Sequence, residues 1–217
     1  MKRLTVISGH YGAGKTEIAV NLAIDFKLDA LIDLDVVNPY FRSRSVHDLL
    51  TRHGVDLIES SLPRSSGSDL PYISAGSRRP FIDTSLRAVY DLAGTKAGAK
   101  LMRQFSSLID AETPLDFFVV INVFRPETST TEKIVSLIQT LEGAAQLRVS
   151  GLVNNSNLMR ETDASTIQQG ESILREVSAE TDIPIVYTFH PENVDVKESD
   201  FSGTVRPLRR YLAKTWL

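Results

Sequence analysis

The sequence predicts an α/β domain built on a mainly parallel β-sheet with helices on both faces. Short apolar runs alternate with amphipathic segments along the whole chain, the order that successive βα units produce. The runs are also too uniformly apolar to have one solvated face, as befits strands of a sheet covered on both sides. At 217 residues the chain suits one domain, so 1–217 is read as a single unit without internal repeat or linker.

The elements follow in order. Residues 4–8 form a buried strand, and 15–26 form a helix with Ile18, Ala19, Leu22, Ala23 and Phe26 at helical spacing. Residues 30–34 are a second strand; 46–52 form a helix stopped at Gly54, and 55–59 a short strand. Residues 60–83 are rich in Ser, Pro, Gly and Arg and read as a long excursion with little regular structure. Residues 88–92 are a strand, 98–109 a helix, 116–124 a strongly apolar strand, and 130–141 a helix. Residues 147–153 are a strand, 164–178 a helix, 185–189 the last strand, and 207–216 a closing helix.

Composition excludes several classes. Apolar residues at 42% and charged residues at 24% are ordinary for a globular chain with a real core. A net charge of -3 argues against a broad electrostatic grip on nucleic acid. The chain has no cysteine, which removes disulfides, zinc–thiolate sites, thiolate-held iron–sulfur clusters and cysteine nucleophiles. The apolar run after Met1-Lys2-Arg3 is too short for a signal-peptide core. The longest apolar run, near Phe117 to Val123, falls far below the ~20 residues that span a bilayer. A cytoplasmic location is the expectation.

The chemistry concentrates between the first strand and the first helix, in Gly9-His10-Tyr11-Gly12-Ala13-Gly14-Lys15-Thr16, followed by Glu17. This matches G-x-x-x-x-G-K-[ST], the phosphate-binding loop. The glycines let backbone N–H groups turn inward around phosphate oxygens. Lys15 can reach the β- and γ-phosphates, Thr16 offers a hydroxyl to Mg²⁺, and the helix beginning at Lys15 adds its positive end. At an average glycine usage near 7%, a chance match arises on the order of once per hundred chains of this length. With a strand before it and a helix after it, the motif specifies a three-layer P-loop NTPase fold.

Two acidic elements accompany it. Asp33 and Asp35 lie two apart at the end of the second strand and so share a face. A carboxylate there can orient an attacking water or hold the shell of a magnesium ion. Asp91-Leu92-Ala93-Gly94 closes the 88–92 strand. Its Asp can support the Mg²⁺ site, and the Gly94 N–H can sense a γ-phosphate.

In this order of motifs the chain resembles the MinD/ParA group of P-loop ATPases. The likeness extends through Ser150-Gly151-Leu152-Val153-Asn154-Asn155 and Phe189-His190-Pro191-Glu192-Asn193-Val194. It implies ATP and Mg²⁺ as ligands, slow hydrolysis that switches a protein partner, and a homodimer as one assembly. It implies that Lys15 and Asp35 are catalytic, Asp35 placing the water. Residues 9–17 and Gly94 would bind the nucleotide, and Thr16, Asp33, Asp35 and Asp91 would serve the metal. Asn155, with Asn154 as the neighbouring alternative, would meet adenine, and Pro191 would flank the base. Many members carry a lysine at the position of His10 that reaches across the dimer. Imidazole is shorter and largely neutral near pH 7, and Arg42 or Arg44 could supply a compensating charge. No [NT]-K-x-D motif occurs, which favours ATP over GTP.

Other readings of the site are a small-molecule phosphotransferase or ligase of the dethiobiotin-synthetase type, and an adaptor that binds nucleotide without hydrolysing it. The 207–216 segment carries Arg209, Arg210, Lys214 and Trp216. It reads either as a helix docked on the sheet or as one lying at a membrane surface. His47 and His53 read as solvated. Arg64, Arg78 and Arg79 make the 60–83 excursion a candidate contact for a partner near the nucleotide edge.

Overall fold

A computed structural model of the chain describes residues 1–35, 44–59 and 73–212. Eight strands form one sheet in the order β3-β2-β4-β1-β5-β6-β7-β8. They are β1 (Leu4–Ser8), β2 (Ala30–Asp33), β3 (Asp56–Glu59), β4 (Ala88–Asp91), β5 (Leu115–Ile121), β6 (Gly151–Asn154), β7 (Ile185–Pro191) and β8 (Thr204–Leu208). Every strand pairing is parallel. The helices are α1 (Lys15–Asp25), α2 (Arg44–Arg52), α3 (Arg79–Ile82), α4 (Lys96–Ala99), α5 (Thr131–Ala145) and α6 (Ala164–Thr181).

Alternation along the strands sends side chains to two cores. In β5, Phe117, Val119 and Ile121 enter one core with Ile134, Ile138 and Leu141 of α5. Phe118 and Val120 enter the other with Ile18, Leu22 and Ala23 of α1. The layers are therefore helix, sheet, helix, as the apolar runs predict. The strand order reverses about β1, which lies between β4 and β5. That opens a crevice beyond the carboxyl end of β1, where ligands of open α/β sheets bind.

Several boundaries differ from expectation for identifiable reasons. β5 ends at Ile121 rather than running to 124, because the Asn122 side chain takes the Phe124 N–H (3.0 Å) and turns the backbone out of the sheet. In place of one helix over 98–109 there is α4, capped by Thr95, then a 3-10 stretch over Lys100–Leu108. The 60–83 excursion lies outside the described residues up to 72, Arg64 included. Its remainder is not structureless: a 3-10 turn over Ala75–Arg78 leads into α3. Phe81 of α3 stacks on Phe105 with ring centroids 5.1 Å apart, and Arg3, just before β1, donates to the carbonyls of Pro80 (2.6 Å) and Leu86 (2.8 Å). This part thus reaches the amino end of the sheet, opposite the phosphate loop. Arg78 donates to the Gln104 carbonyl (3.5 Å) and Arg79 faces Asp56 (3.6 Å).

The largest departure is at the carboxyl end. β7 is not the last strand, and 207–216 does not begin as a helix. Residues Thr204–Leu208 pair with β7 as an eighth strand, and none of the described residues 209–212 is helical; Lys214 and Trp216 lie outside the described residues. Pro207 fits an edge strand, where a missing N–H costs no ladder bond. Arg206 lies over the rings of Phe26 (4.7 Å) and Tyr187 (5.9 Å) and pairs with Asp25 (2.8 Å). The premise of an amphipathic membrane-surface helix is therefore absent over 207–212. Among the described residues, no helix is long and apolar enough to cross a membrane.

Candidate nucleotide site

The loop 9–14 leaves β1 at the reversal of strand order and enters α1 through Gly14, whose left-handed backbone (φ 88°) caps the helix. A Cβ there would collide with the Asn155 amide. That amide donates to the Ala13 carbonyl (2.8 Å), so the strand-end asparagine predicted to meet a base is tied to the phosphate loop. Asn154 is also occupied, donating to the Ile167 carbonyl (3.1 Å) and accepting the Ser156 N–H (3.0 Å).

Lys15 is buried and its Nζ lies 3.4 Å from the His10 carbonyl, curled over the loop that it would serve. Thr16 Oγ1 donates to Asp91 Oδ2 at 2.6 Å. Asp91 is fully buried, and its other oxygen, Oδ1, has no hydrogen-bond partner. An orphaned carboxylate oxygen beside the Thr16 hydroxyl suits a hydrated cation. Among the described residues no three His, Cys, Asp or Glu side chains form a metal-binding group. Magnesium at a nucleotide needs few protein ligands, since phosphates and water complete its shell.

The acidic elements converge through sheet register, which sets Asp33 beside Asp91 on adjacent strands. Asp33 Oδ1 accepts the Asp35 N–H (2.9 Å). Burial, then the Asp91 charge, push the Asp33 carboxyl up to about 8. Burial raises Asp91 to about 6 against the lowering pull of Lys15 and of the Thr16 hydrogen bond. Asp35 is buried and lines the cleft. Gly94 lies backbone to backbone on Gly9, and a Cβ at Gly94 would overlap the Gly9 carbonyl. The Asp91–Gly94 element therefore touches the start of the phosphate loop.

These groups open on a cavity of about 570 Å³, a volume in the range of small-ligand pockets. Tyr11, Gly12, Gly14, Lys15, Thr16, Glu17 and Asp35 line one part, and Asn155 and Pro191 lie along it with Phe189, Leu208 and Leu212. Gly9, Ala13, Asp33, Asp91 and Gly94 do not line the cavity but touch residues that do or the loop itself, and His10 does not line it either. Its Nδ1 is 3.6 Å from Glu127 on the outer side of the loop. Arg42 and the Arg44 side chain lie outside the described residues.

Residues that the motifs do not single out complete the cleft. Arg125, after β5, donates from Nε to the Gly12 carbonyl (3.1 Å) and lines the cavity. Asn122 joins two loops: its Oδ1 accepts the N–H of Asn157 (3.3 Å) as well as that of Phe124, and its Nδ2 donates to the Asn157 carbonyl (3.1 Å). A polar residue at the end of each apolar strand was the available signal, visible in Asn122 and Asn154 alike. Glu17, which lines the cavity, receives the backbone N–H groups of Tyr211 and Leu212.

No protein-family model matches the chain, and no curated protein is significantly similar to it. Solved structures do match. The signal recognition particle receptor FtsY of Elizabethkingia anophelis superposes with a TM-score of 0.57 at 16% identity, over 96% of this chain and 62% of that one. The cell division protein FtsY of Thermotoga maritima gives 0.56 at 18% identity, over 91% and 63%. FlhF complexed with GTP and Mg²⁺ gives 0.53 at 14% identity, over 89% and 68%. The chain spans less than two thirds of either FtsY chain. At these identities the likeness is one of architecture, and it establishes the three-layer α/β P-loop NTPase fold.

Proposed function

We propose that the chain is a Mg²⁺-dependent ATP-binding switch of the MinD/ParA kind that hydrolyses ATP slowly to control a protein partner. The observation that carries this reading is the Thr16–Asp91 contact of 2.6 Å beside the unpartnered Asp91 Oδ1, at the mouth of a phosphate loop with Lys15. Loop N–H groups and the start of α1 would cradle the phosphates. Lys15 would neutralise charge on the β/γ-phosphates, and Asp35 would orient the attacking water. Thr16 and Asp91 would hold Mg²⁺, directly and through its water. When bound, the ion supplies charge compensation between the phosphates. Gly94, packed on Gly9, would report the presence of the γ-phosphate to the segment that follows it.

FlhF was crystallised with GTP, so base choice is the first test. Titration calorimetry with ATP and GTP in Mg²⁺ is expected to favour ATP, in keeping with the lack of an [NT]-K-x-D motif. Tighter binding of GTP overturns that choice. Phosphate release should vanish in Lys15→Ala, and near-native turnover in that variant overturns the site.

A further inference from the structure

The phosphate half of the cleft is built by the loop and α1, whereas its apolar half includes Phe189 and Pro191 of β7 and, from the carboxyl end, Leu208 and Leu212. Leu208 ends β8; the chain then leaves the sheet and runs back along α1 toward the phosphate loop. Its contacts trace that path. Arg209 pairs with Asp25 (3.3 Å) and exchanges two hydrogen bonds of 2.9 Å with the Asn21 amide, one through its N–H and one through its carbonyl. One turn nearer the loop, the Glu17 carboxylate receives the Tyr211 and Leu212 N–H groups. Glu17 and Asn21 stand on one face of α1, four residues apart, and the Asn21 amide also donates to the Glu17 carbonyl (2.8 Å).

We propose that residues 208–212 form the nucleoside wall of this cleft and that Glu17 is the residue that positions them. The proposal rests on the nucleotide reading above. With the phosphates fixed at the loop, the flat heterocycle of a nucleotide has the apolar half of the cavity to occupy. Leu212 is buried there, and its N–H lies on the Glu17 carboxylate. A carboxylate accepting backbone N–H groups forms charge-assisted bonds, stronger than neutral ones. Glu17 directly follows Thr16, so the group that fixes the wall is one peptide from the group that meets the phosphate end. Nucleotide binding and wall docking are then coupled, and each strengthens the other equally.

The test compares ATP with inorganic tripolyphosphate, which carries the phosphates without a nucleoside. Both are titrated in Mg²⁺ against the native chain, Glu17→Ala, Glu17→Gln, Leu212→Ser and Lys15→Ala. Alanine keeps α1 helical, and glutamine keeps an acceptor oxygen. Glu17→Ala and Leu212→Ser should weaken ATP roughly tenfold or more, the scale of losing one buried apolar contact, with tripolyphosphate affinity unchanged. Glu17→Gln should retain most of the ATP affinity, and Lys15→Ala should lose both ligands. Native-like ATP binding in Glu17→Ala and Leu212→Ser overturns the wall. So does an equal loss of both ligands, which would mark general damage to α1. A native chain that binds tripolyphosphate but gains nothing from the nucleoside also overturns the wall, and one that binds neither overturns the nucleotide reading itself.

Discussion

Thr16 Oγ1 and Asp91 Oδ2 are 2.6 Å apart although 75 residues separate them in the chain. The hydroxyl begins α1 and the carboxylate ends β4, so the contact holds the helix start against the sheet at the point where charge would accumulate. Asp91→Asn keeps an acceptor for Thr16 but removes the charge. Its Mg²⁺ requirement should rise by about tenfold or more, as for other groups that orient a metal shell. A magnesium titration of phosphate release checks this, and an unchanged half-saturation point contradicts it.

Asp35 and Lys15 both line the cleft, with Lys15 curled over the loop, and their substitutions should separate. Asp35→Ala is expected to bind ATP within a few-fold of native and to lose about 10²-fold in kcat, the range of one positioned proton-handling group. Lys15→Ala should lose binding and turnover together. Single-turnover phosphate release alongside equilibrium binding distinguishes the two patterns.

Asp33 and Asp91 give a signed pH dependence. In the folded state their carboxyls are raised to about 8 and about 6, from the 3.8 usual for an aspartate in water. The folded state therefore holds more protons than the unfolded state across that interval. Stability from this source is complete below about pH 4 and is lost as pH rises through 6 and then 8. In metal-free buffer, Asp33→Asn should narrow the fall in Tm between pH 5 and pH 8.5. A Tm difference between variant and native that stays constant across that range contradicts the assignment.

Gly94 has no room for a Cβ against the Gly9 carbonyl. Gly94→Ala must push the two backbones apart, at a cost of about 1–3 kcal/mol, as overpacking does. Chemical denaturation measures that loss. Phosphate release should fall as well, since the displaced segment is the one packed on the loop.

The sequence made the three layers and the phosphate site legible because both are local signals. Uniform apolar runs report double coverage, and Gly9 through Thr16 state their chemistry in adjacent residues. The carboxyl end defeats a local reading: Leu208, Tyr211 and Leu212 fall at helical spacing, yet Leu208 pairs in parallel with β7 and the Tyr211 and Leu212 N–H groups go to Glu17. That pairing joins residues such as Tyr187 and Thr204, which no local pattern links. The Glu17 and Asn155 contacts were hidden for the same reason. Each is a side chain of the expected site engaged by backbone distant in sequence, Glu17 with Tyr211 and Asn155 with Ala13. The 3-10 stretch after α4 gave no distinct signal, since Leu101, Met102 and Phe105 would face inward in either helix type.

Asn122 makes one mechanical block of two loops. Its amide spans Phe124 and Asn157, while its backbone carbonyl takes the Thr128 hydroxyl (2.7 Å). One of these loops carries Arg125 to Gly12, and the other carries Asn155 to Ala13. The phosphate loop is thus held at consecutive residues by a jaw hinged on a single buried side chain. Displacing either of the two loops would therefore carry Gly12 and Ala13 with it, so the geometry of the phosphate loop is set by residues more than a hundred positions away in the chain.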